Sequence, residues 1–284
     1  MTTKVGLDSA INSMKATSSL IAKYESEINS ETKIQQPSDD PVTAKQLDNL
    51  RRSLSGNSAY QTNVKTATAV SDQSNAALSD ISTQLSSIQN RLQQAMNGTN
   101  STSTQAILAQ QISSSADQIN SYKTSTDTDG NALFPSDSSQ LITYPIGDDR
   151  SVAATLTQTQ VFSFTASTGS TAGSTVDLST LLKNTQTAIT NNDSTGMSDA
   201  LNQINDAIKH MTDAQGQQSV LATQISDQND RLSDQALTMK TTKTSFQAID
   251  YAEVYSLYTA SVTQQNAQWS ALAQNKSTLF DLLG

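Results

Sequence analysis

Few side chains in this sequence are of types and spacings that could do chemistry. Asp39 and Asp40 are adjacent carboxylates, the groups that acid–base work uses. Neighbours along a chain do not face one another across a bond, however. Asp40, just before Pro41, reads as a helix cap, with Asp39 solvated beside it. Asp127-Thr128-Asp129-Gly130-Asn131 has part of a calcium-loop pattern. With Gly130 at the sixth position, Ser136 stands where the bidentate Glu belongs, so a plain turn is expected. His210 is the sole histidine and lies next to Met211 in a helical stretch, with no cysteine anywhere in the chain. It reads as a packed or surface helix residue, not a metal ligand. No Gly-rich phosphate loop, nucleophile elbow or zinc spacing occurs. Asn97-Gly98-Thr99, Asn100-Ser101-Thr102, Asn192-Asp193-Ser194 and Asn275-Lys276-Ser277 fit the glycan sequon, which chance supplies in a chain this rich in Asn, Ser and Thr. No catalytic residue, cofactor or metal is expected.

Trp269 is the remaining singular side chain. Aromatics concentrate where proteins meet. It could anchor the core of the rod or meet another subunit; Gln264, Gln265 and Gln268 surround it at positions where a self-sufficient bundle would carry Leu, which favours the contact with another subunit. The stretch that holds it, Asp250 to Gly284, opens Asp250-Tyr251-Ala252-Glu253, a spacing that can cap a helix from both sides. Tyr251, Val254, Leu257, Val262, Trp269 and Leu272 follow, mostly at helical intervals, and Leu279, Phe280, Leu282 and Leu283 form an apolar tip. At the other end, Leu7, Ile11, Met14, Ser18, Ile21, Glu25 and Ile28 make a heptad stripe interrupted by Ser18 and Glu25. Both ends carry too little apolar surface to stay ordered alone, so both are expected to need a partner surface.

The 284 residues are 35% hydrophobic and only 15% charged, with Ser, Thr, Gln and Asn filling the balance. That composition suits long helices with polar faces and hydroxyl-rich contacts. The net charge is −9, with no Lys/Arg cluster beyond Arg51-Arg52. Nucleic acid and anionic membrane surfaces are therefore not expected as partners. No run reaches the ~18 apolar residues of a membrane helix. The first ten residues lack the features of a cleaved signal peptide, so any export is expected by another route.

Gln36-Pro37-Ser38-Asp39-Asp40-Pro41 stops the first helix and starts the second. Pro37 drives Gln36 out of helical geometry. A helix is predicted from Pro41 to about Met96, with Leu78, Ile81, Leu85, Ile88 and Leu92 as its cleanest series. Some 55 residues at ~1.5 Å each make ~80 Å, so a rod is expected. Asn97 to Ser101 reverses the chain, and a return helix from about Ala106 carries Leu108, Ile112 and Ile119. From Ala132 to Thr175 the chain gains Gly, Pro and aromatic residues. Leu141 to Tyr144 and Gln160 to Thr165 read as short strands. Asp177 caps a helix through Ile189, and a second long helix is predicted from about Met197 to Thr244, with a break at Phe246 to Asp250. The expected fold is mainly α, an elongated antiparallel coiled-coil rod with paired terminal helices and a small β-rich insertion. Residues 1–40 and 245–284 form the terminal assembly region, 41–131 and 176–244 the rod, and 132–175 the insertion.

Several of these pieces resemble the flagellin-like hook-associated protein 3 family, the hook–filament junction proteins of bacterial flagella. Pro37-Ser38-Asp39-Asp40-Pro41 after the first helix is the most specific, because flagellins usually carry an Ala/Gly-containing sequence after the paired Asp. Tyr60 and Asn63, Gln94 to Gly98, Gly130 to Phe134, Asp250 to Glu253 and Leu279 to Leu283 fit the same pattern. Thr2, Glu31-Thr32 and Pro135 depart from it. The resemblance implies export in unfolded form through the flagellar type III channel. It implies a ring between hook-associated protein 1 and the flagellin filament, and terminal helices that pair with neighbouring copies. A cytoplasmic export chaperone is implied at the C-terminal region. A flagellin forming the filament itself is the alternative. An enzyme borne on the insertion is a third reading, but Ala132–Thr175 contains no His, Cys or Glu to build a site from.

Overall fold

Helix starts in this chain are written by side chains that accept from otherwise orphaned N–H groups. The computed structural model describes residues 2–281, and the side-chain surroundings of residue 6 and of residues 8–274. The helices are α1 (Thr2–Ser30), α2 (Pro41–Ala95), α3 (Thr102–Ser121), α4 (Gln158–Phe162), α5 (Leu178–Thr190), α6 (Ser194–Gln247) and α7 (Tyr251–Asp281). Asp40 caps α2 as expected, accepting at Oδ1 from the Val42 and Thr43 amides, both at 3.1 Å. Ser101 caps α3 through Thr104 N at 3.2 Å. Asp177 caps α5 through Ser179 N and Thr180 N. Asp193 serves α6, which therefore begins at Ser194 and not at Met197. A Cβ at Gly196 would lie 2.5 Å from Asp193 Oδ2, so a larger residue there would make the capping carboxylate shift. Asp250 caps α7 through Ala252 N at 3.0 Å and Glu253 N at 3.2 Å.

The chain divides into two compact units. Residues 57–235 form one, and residues 1–56 with 236–284 form the other. The 57–235 unit holds the main core. Leu78, Ile81, Leu85, Ile88 and Leu92 of α2 are fully buried, as their heptad series predicts. Ile112 and Ile119 of α3, Leu181 and Ile189 of α5, and Ile204 and Met211 of α6 join them. α3 packs against α5. Their polar edge is stitched by Lys123–Asp177 at 2.8 Å and by Ser179 Oγ donating to Asn120 Oδ1 at 2.6 Å.

Two small antiparallel sheets complete this unit. β1 (Thr143–Gly147) pairs with β2 (Arg150–Ala153), with a register shift between Pro145 and Gly147. β3 (Ser163–Thr165) pairs with β4 (Thr175–Asp177), placing Phe164 opposite Val176. Gln160 to Phe162, expected as strand, is helix α4. Thr157 and Gln160 form a reciprocal capping box that starts it. The side chains of the expected insertion belong to the helical core. Phe134 and Phe162 meet edge to face at 5.9 Å, and Ile146, Val152 and Phe164 share their cluster with the long helices. Each buried aromatic of this kind stabilises by roughly 2–3 kcal/mol.

Polar side chains tie the sheets to the helices. Gln218 is 0% exposed. Its Nε2 donates to Ala154 O at 2.7 Å and Ser71 Oγ at 3.0 Å, and its Oε1 accepts from Ser74 Oγ at 3.2 Å. Gln228 Nε2 donates to Ile146 O at 2.8 Å. Tyr60 Oη donates to Asp148 and Asn63 Nδ2 to Pro145 O, both at 2.8 Å, which holds the β1–β2 hairpin on α2.

Candidate assembly surface

The two terminal helices, α1 and α7, pack against each other in the unit formed by residues 1–56 and 236–284. Side-chain bonds show that they run antiparallel and in step. Tyr258 Oη donates to Glu25 Oε1 at 3.1 Å, and seven residues further on Gln265 Nε2 donates to Ser18 Oγ at 2.7 Å. Gln268 Nε2 donates to Ser13 Oγ at 3.0 Å and Thr17 Oγ1 at 3.2 Å. The covered seam of α1 runs through Ala10, Met14, Thr17, Ile21, Tyr24 and Ile28, with Glu27 buried beside it, and that of α7 through Val254, Tyr258, Ser261, Gln265, Gln268 and Leu272, with Val262 half-buried beside it. Both faces repeat at alternating intervals of four and three, the period of a coiled-coil seam.

The predicted site residues fall on both sides of this pair. Met14 and Val254 are buried in it, and Ile21, Ile28, Val262 and Leu272 are half-buried. Ile11, Leu257 and Tyr251 are exposed, and Trp269 is 56% exposed. The second seam of α1 therefore runs through Ala10, Thr17 and Tyr24, one residue before the expected Ile11, Ser18 and Glu25. Of the α7 amides, Gln268 reaches Thr17 on this seam, whereas Gln265 reaches the exposed Ser18 at its edge. Gln268 Oε1 remains buried without a donor among the described residues. Leu7, Leu279 and Phe280 lie on the helices, but their side chains are outside the described residues, as are Leu282 and Leu283 altogether.

Four predicted residues come together. Ile11, Met14, Trp269 and Leu272, with Lys15 and Ser18, line an apolar groove of about 360 Å³ along the pair. Sequence reasoning missed Leu20, 44% exposed on α1, and Tyr255, 62% exposed on α7 with its ring centroid 6.4 Å from that of Tyr258. Their apolar spacing was visible. Their exposure was not, because it depends on which face the partner helix takes.

The turn Pro37-Ser38-Asp39-Asp40-Pro41 anchors the same unit. Asp39 is not a bystander. Its Oδ2 accepts from the Gln35 amide at 3.0 Å and the Gln36 amide at 2.8 Å, closing the loop. These amides hold the Asp39 carboxyl below the usual carboxylate range. Bonds from the Thr43 hydroxyl and amide do the same for Asp40. Both carboxylates are thus committed to backbone geometry, which leaves no poised acid–base pair. Glu31 takes a left-handed φ of 56° as α1 ends. Thr32 bridges to Ala248, and Lys33 N donates to Gln247 O at 2.8 Å, so the α1–α2 and α6–α7 connections are joined. A charged groove of about 400 Å³ lies here, lined by Lys23, Glu27, Lys33, Asp39, Asp40, Asp250 and Glu253 among others.

The other singled-out residues lie in the 57–235 unit. Asp127 Oδ1 accepts from the Asp129 and Asn131 amides at 2.9 and 2.8 Å, a self-contained turn. His210 faces Phe164, ring centroids 6.2 Å apart, and its Nε2 is buried without a partner among the described residues. No cluster of three or more metal-ligating side chains occurs among the described residues, and no helix there is long and apolar enough to cross a membrane.

Comparison with known proteins follows the same lines. Residues 3–138, just under half of the chain, match the family model of the bacterial flagellin N-terminal helical region. A protein assigned as flagellar hook-associated in Vibrio parahaemolyticus aligns with a TM-score of 0.64 at 16% identity, over 73% of this chain and 99% of that one. FlgL of Xanthomonas campestris aligns with a TM-score of 0.58 at 13% identity, over 69% and 99% of the two chains. Flagellar hook-associated protein 3 of Legionella pneumophila gives 0.58 at 12% identity, over 69% and 97%. At these identities the structures share the fold. No curated protein sequence matches the chain.

Proposed function

We propose that the chain is a structural, non-enzymatic component of the flagellum, a reading supported by the match of residues 3–138 to the bacterial flagellin N-terminal helical region and by the fold shared with flagellar hook-associated proteins. Its place in this reading is the junction between hook-associated protein 1 and the flagellin filament, outside the cell. Copies join one another there through α1 and α7, and a cytoplasmic export chaperone holds the C-terminal region beforehand.

The observation that carries the reading is the α1–α7 pair itself. Its seam is part polar, and its outer faces leave Ile11, Leu20, Leu257, Tyr255 and Trp269 in solvent. Exposed aromatic and aliphatic side chains on a paired helix mark a surface built to be covered. Deleting residues 251–284 is expected to abolish swimming and release filament subunits into the medium. Normal motility of that strain would end the proposal. The match to a flagellin family model also supports a second reading, a filament subunit. Copy number separates the two, since a junction needs a ring's worth of chains and a filament needs thousands.

A further inference from the structure

We propose that Asn97 is a site of spontaneous deamidation, through attack by the Gly98 backbone nitrogen, and that the turn between α2 and α3 is a built-in chemical clock. Three features of the turn converge on this reaction. Residues 96–99 are exposed, so water and base reach them. Among the described residues the Gly98 N–H donates no hydrogen bond, and it is free to lose its proton. The carbonyl groups on either side are both polarised. Thr99 donates to Asn97 Oδ1 from its amide at 3.3 Å and from its hydroxyl at 3.0 Å, drawing electron density from the carbon under attack. The Asn100 amide donates to Asn97 O at 3.1 Å, which acidifies the Gly98 N–H of the same peptide.

The step balances with water alone. Gly98 N forms a bond to Asn97 Cγ and gives its proton to solvent base. The tetrahedral centre expels ammonia, which leaves with a proton from water, and a five-membered succinimide remains. Water then opens either carbonyl of that ring, yielding aspartate or isoaspartate at position 97. The aspartate places a negative charge just past the C-terminal end of α2, where the helix dipole disfavours it. The isoaspartate lengthens the turn by one backbone methylene.

Two other dipeptides open to the same ring closure lack the free nucleophile. The Gly130 amide after Asp129 donates to Asp127 O at 3.2 Å, and the Asp193 amide after Asn192 donates to Ala188 O at 2.9 Å. They serve as internal controls.

The test is ageing of the purified full chain at pH 6 and pH 8.5, followed by peptide mapping with mass and isoaspartate detection. The peptide holding Asn97 is expected to convert first, faster at the higher pH, with isoaspartate exceeding aspartate. Gly98→Ala is expected to slow conversion about tenfold, because a Cβ hinders ring closure. That variant separates chemistry from folding, since a Cβ at residue 98 meets nothing within 4 Å. Intact Asn97 after the 129–130 or 192–193 peptides have converted would overturn the proposal, as would equal rates in the parent and Gly98→Ala.

Discussion

Individual carboxylates and amides act in this protein as backbone partners, and their failures are specific. Asp39 and Asp40 titrate below the ordinary carboxylate range in the folded chain because amides and a hydroxyl bond the charged form. A depressed folded value adds stability above the unfolded value and loses it as pH falls through the folded one. The turn over residues 31–43 is therefore expected to loosen below about pH 4, read by amide exchange. Asp39→Asn with Asp40→Asn should flatten that dependence. Asp177 behaves alike for a mixed reason: burial pushes its carboxyl up, but Lys123 and the α5 amides outweigh burial and leave it lowered. Gln218→Leu is expected to cost about 1–3 kcal/mol by chemical denaturation, because Ser71, Ser74 and Ala154 O lose their partner in a dry core. Gln218 could not be identified as such from sequence. Nothing local distinguishes it from the surface glutamines on either side.

Among elements, the long helices were legible because their apolar repeats and caps agree, as at Asp40, Asp177 and Asp250. The pairing of the ends was legible too, in two matching stripes. Its rotation was not. The heptads through residues 10 and 11 share Met14, Ile21 and Ile28, and apolarity alone favours Ile11. The covered seam takes Ala10 and Thr17, with Thr17 accepting from Gln268, while Ser18 of the other stripe accepts from Gln265 at the exposed edge. Replacing Gln268 by Leu should accordingly raise amide-exchange protection along α1 and α7, since it removes a buried acceptor that has no donor. Unchanged or lower protection would show that the Ser13 and Thr17 bonds outweigh that acceptor. Helix α4 was misread for a different reason. Alternating Phe162 and Phe164 imitated a strand, while Thr157-x-x-Gln160, a capping signal, went unweighed.

At the scale of the whole molecule, the two units differ in what holds them. In the unit of the chain ends, Met14, Leu47 and Val254 are the buried apolar side chains among the described residues, alongside buried Thr17, Glu27 and Ser261. The 57–235 unit holds the long apolar cluster. Two denaturation steps are expected in urea, with residues 1–56 and 236–284 exchanging and cleaving first. A single coincident transition by exchange and by circular dichroism would contradict this. That the insertion shares the helical core was not legible. Its aromatics were visible, but which distant helices receive them is a long-range fact. The junction at Glu31 carries a further implication. A non-glycine residue holds a left-handed conformation there, which costs of order 1–3 kcal/mol unless its surroundings enforce it. The surroundings come from the far terminus, as the Glu31 carboxylate meets Tyr251 and its neighbours clasp Gln247 and Ala248. A nascent polypeptide lacking its last forty residues has nothing to fasten this corner. The corner after α1 is thus closed only when residues 247–251 are in place.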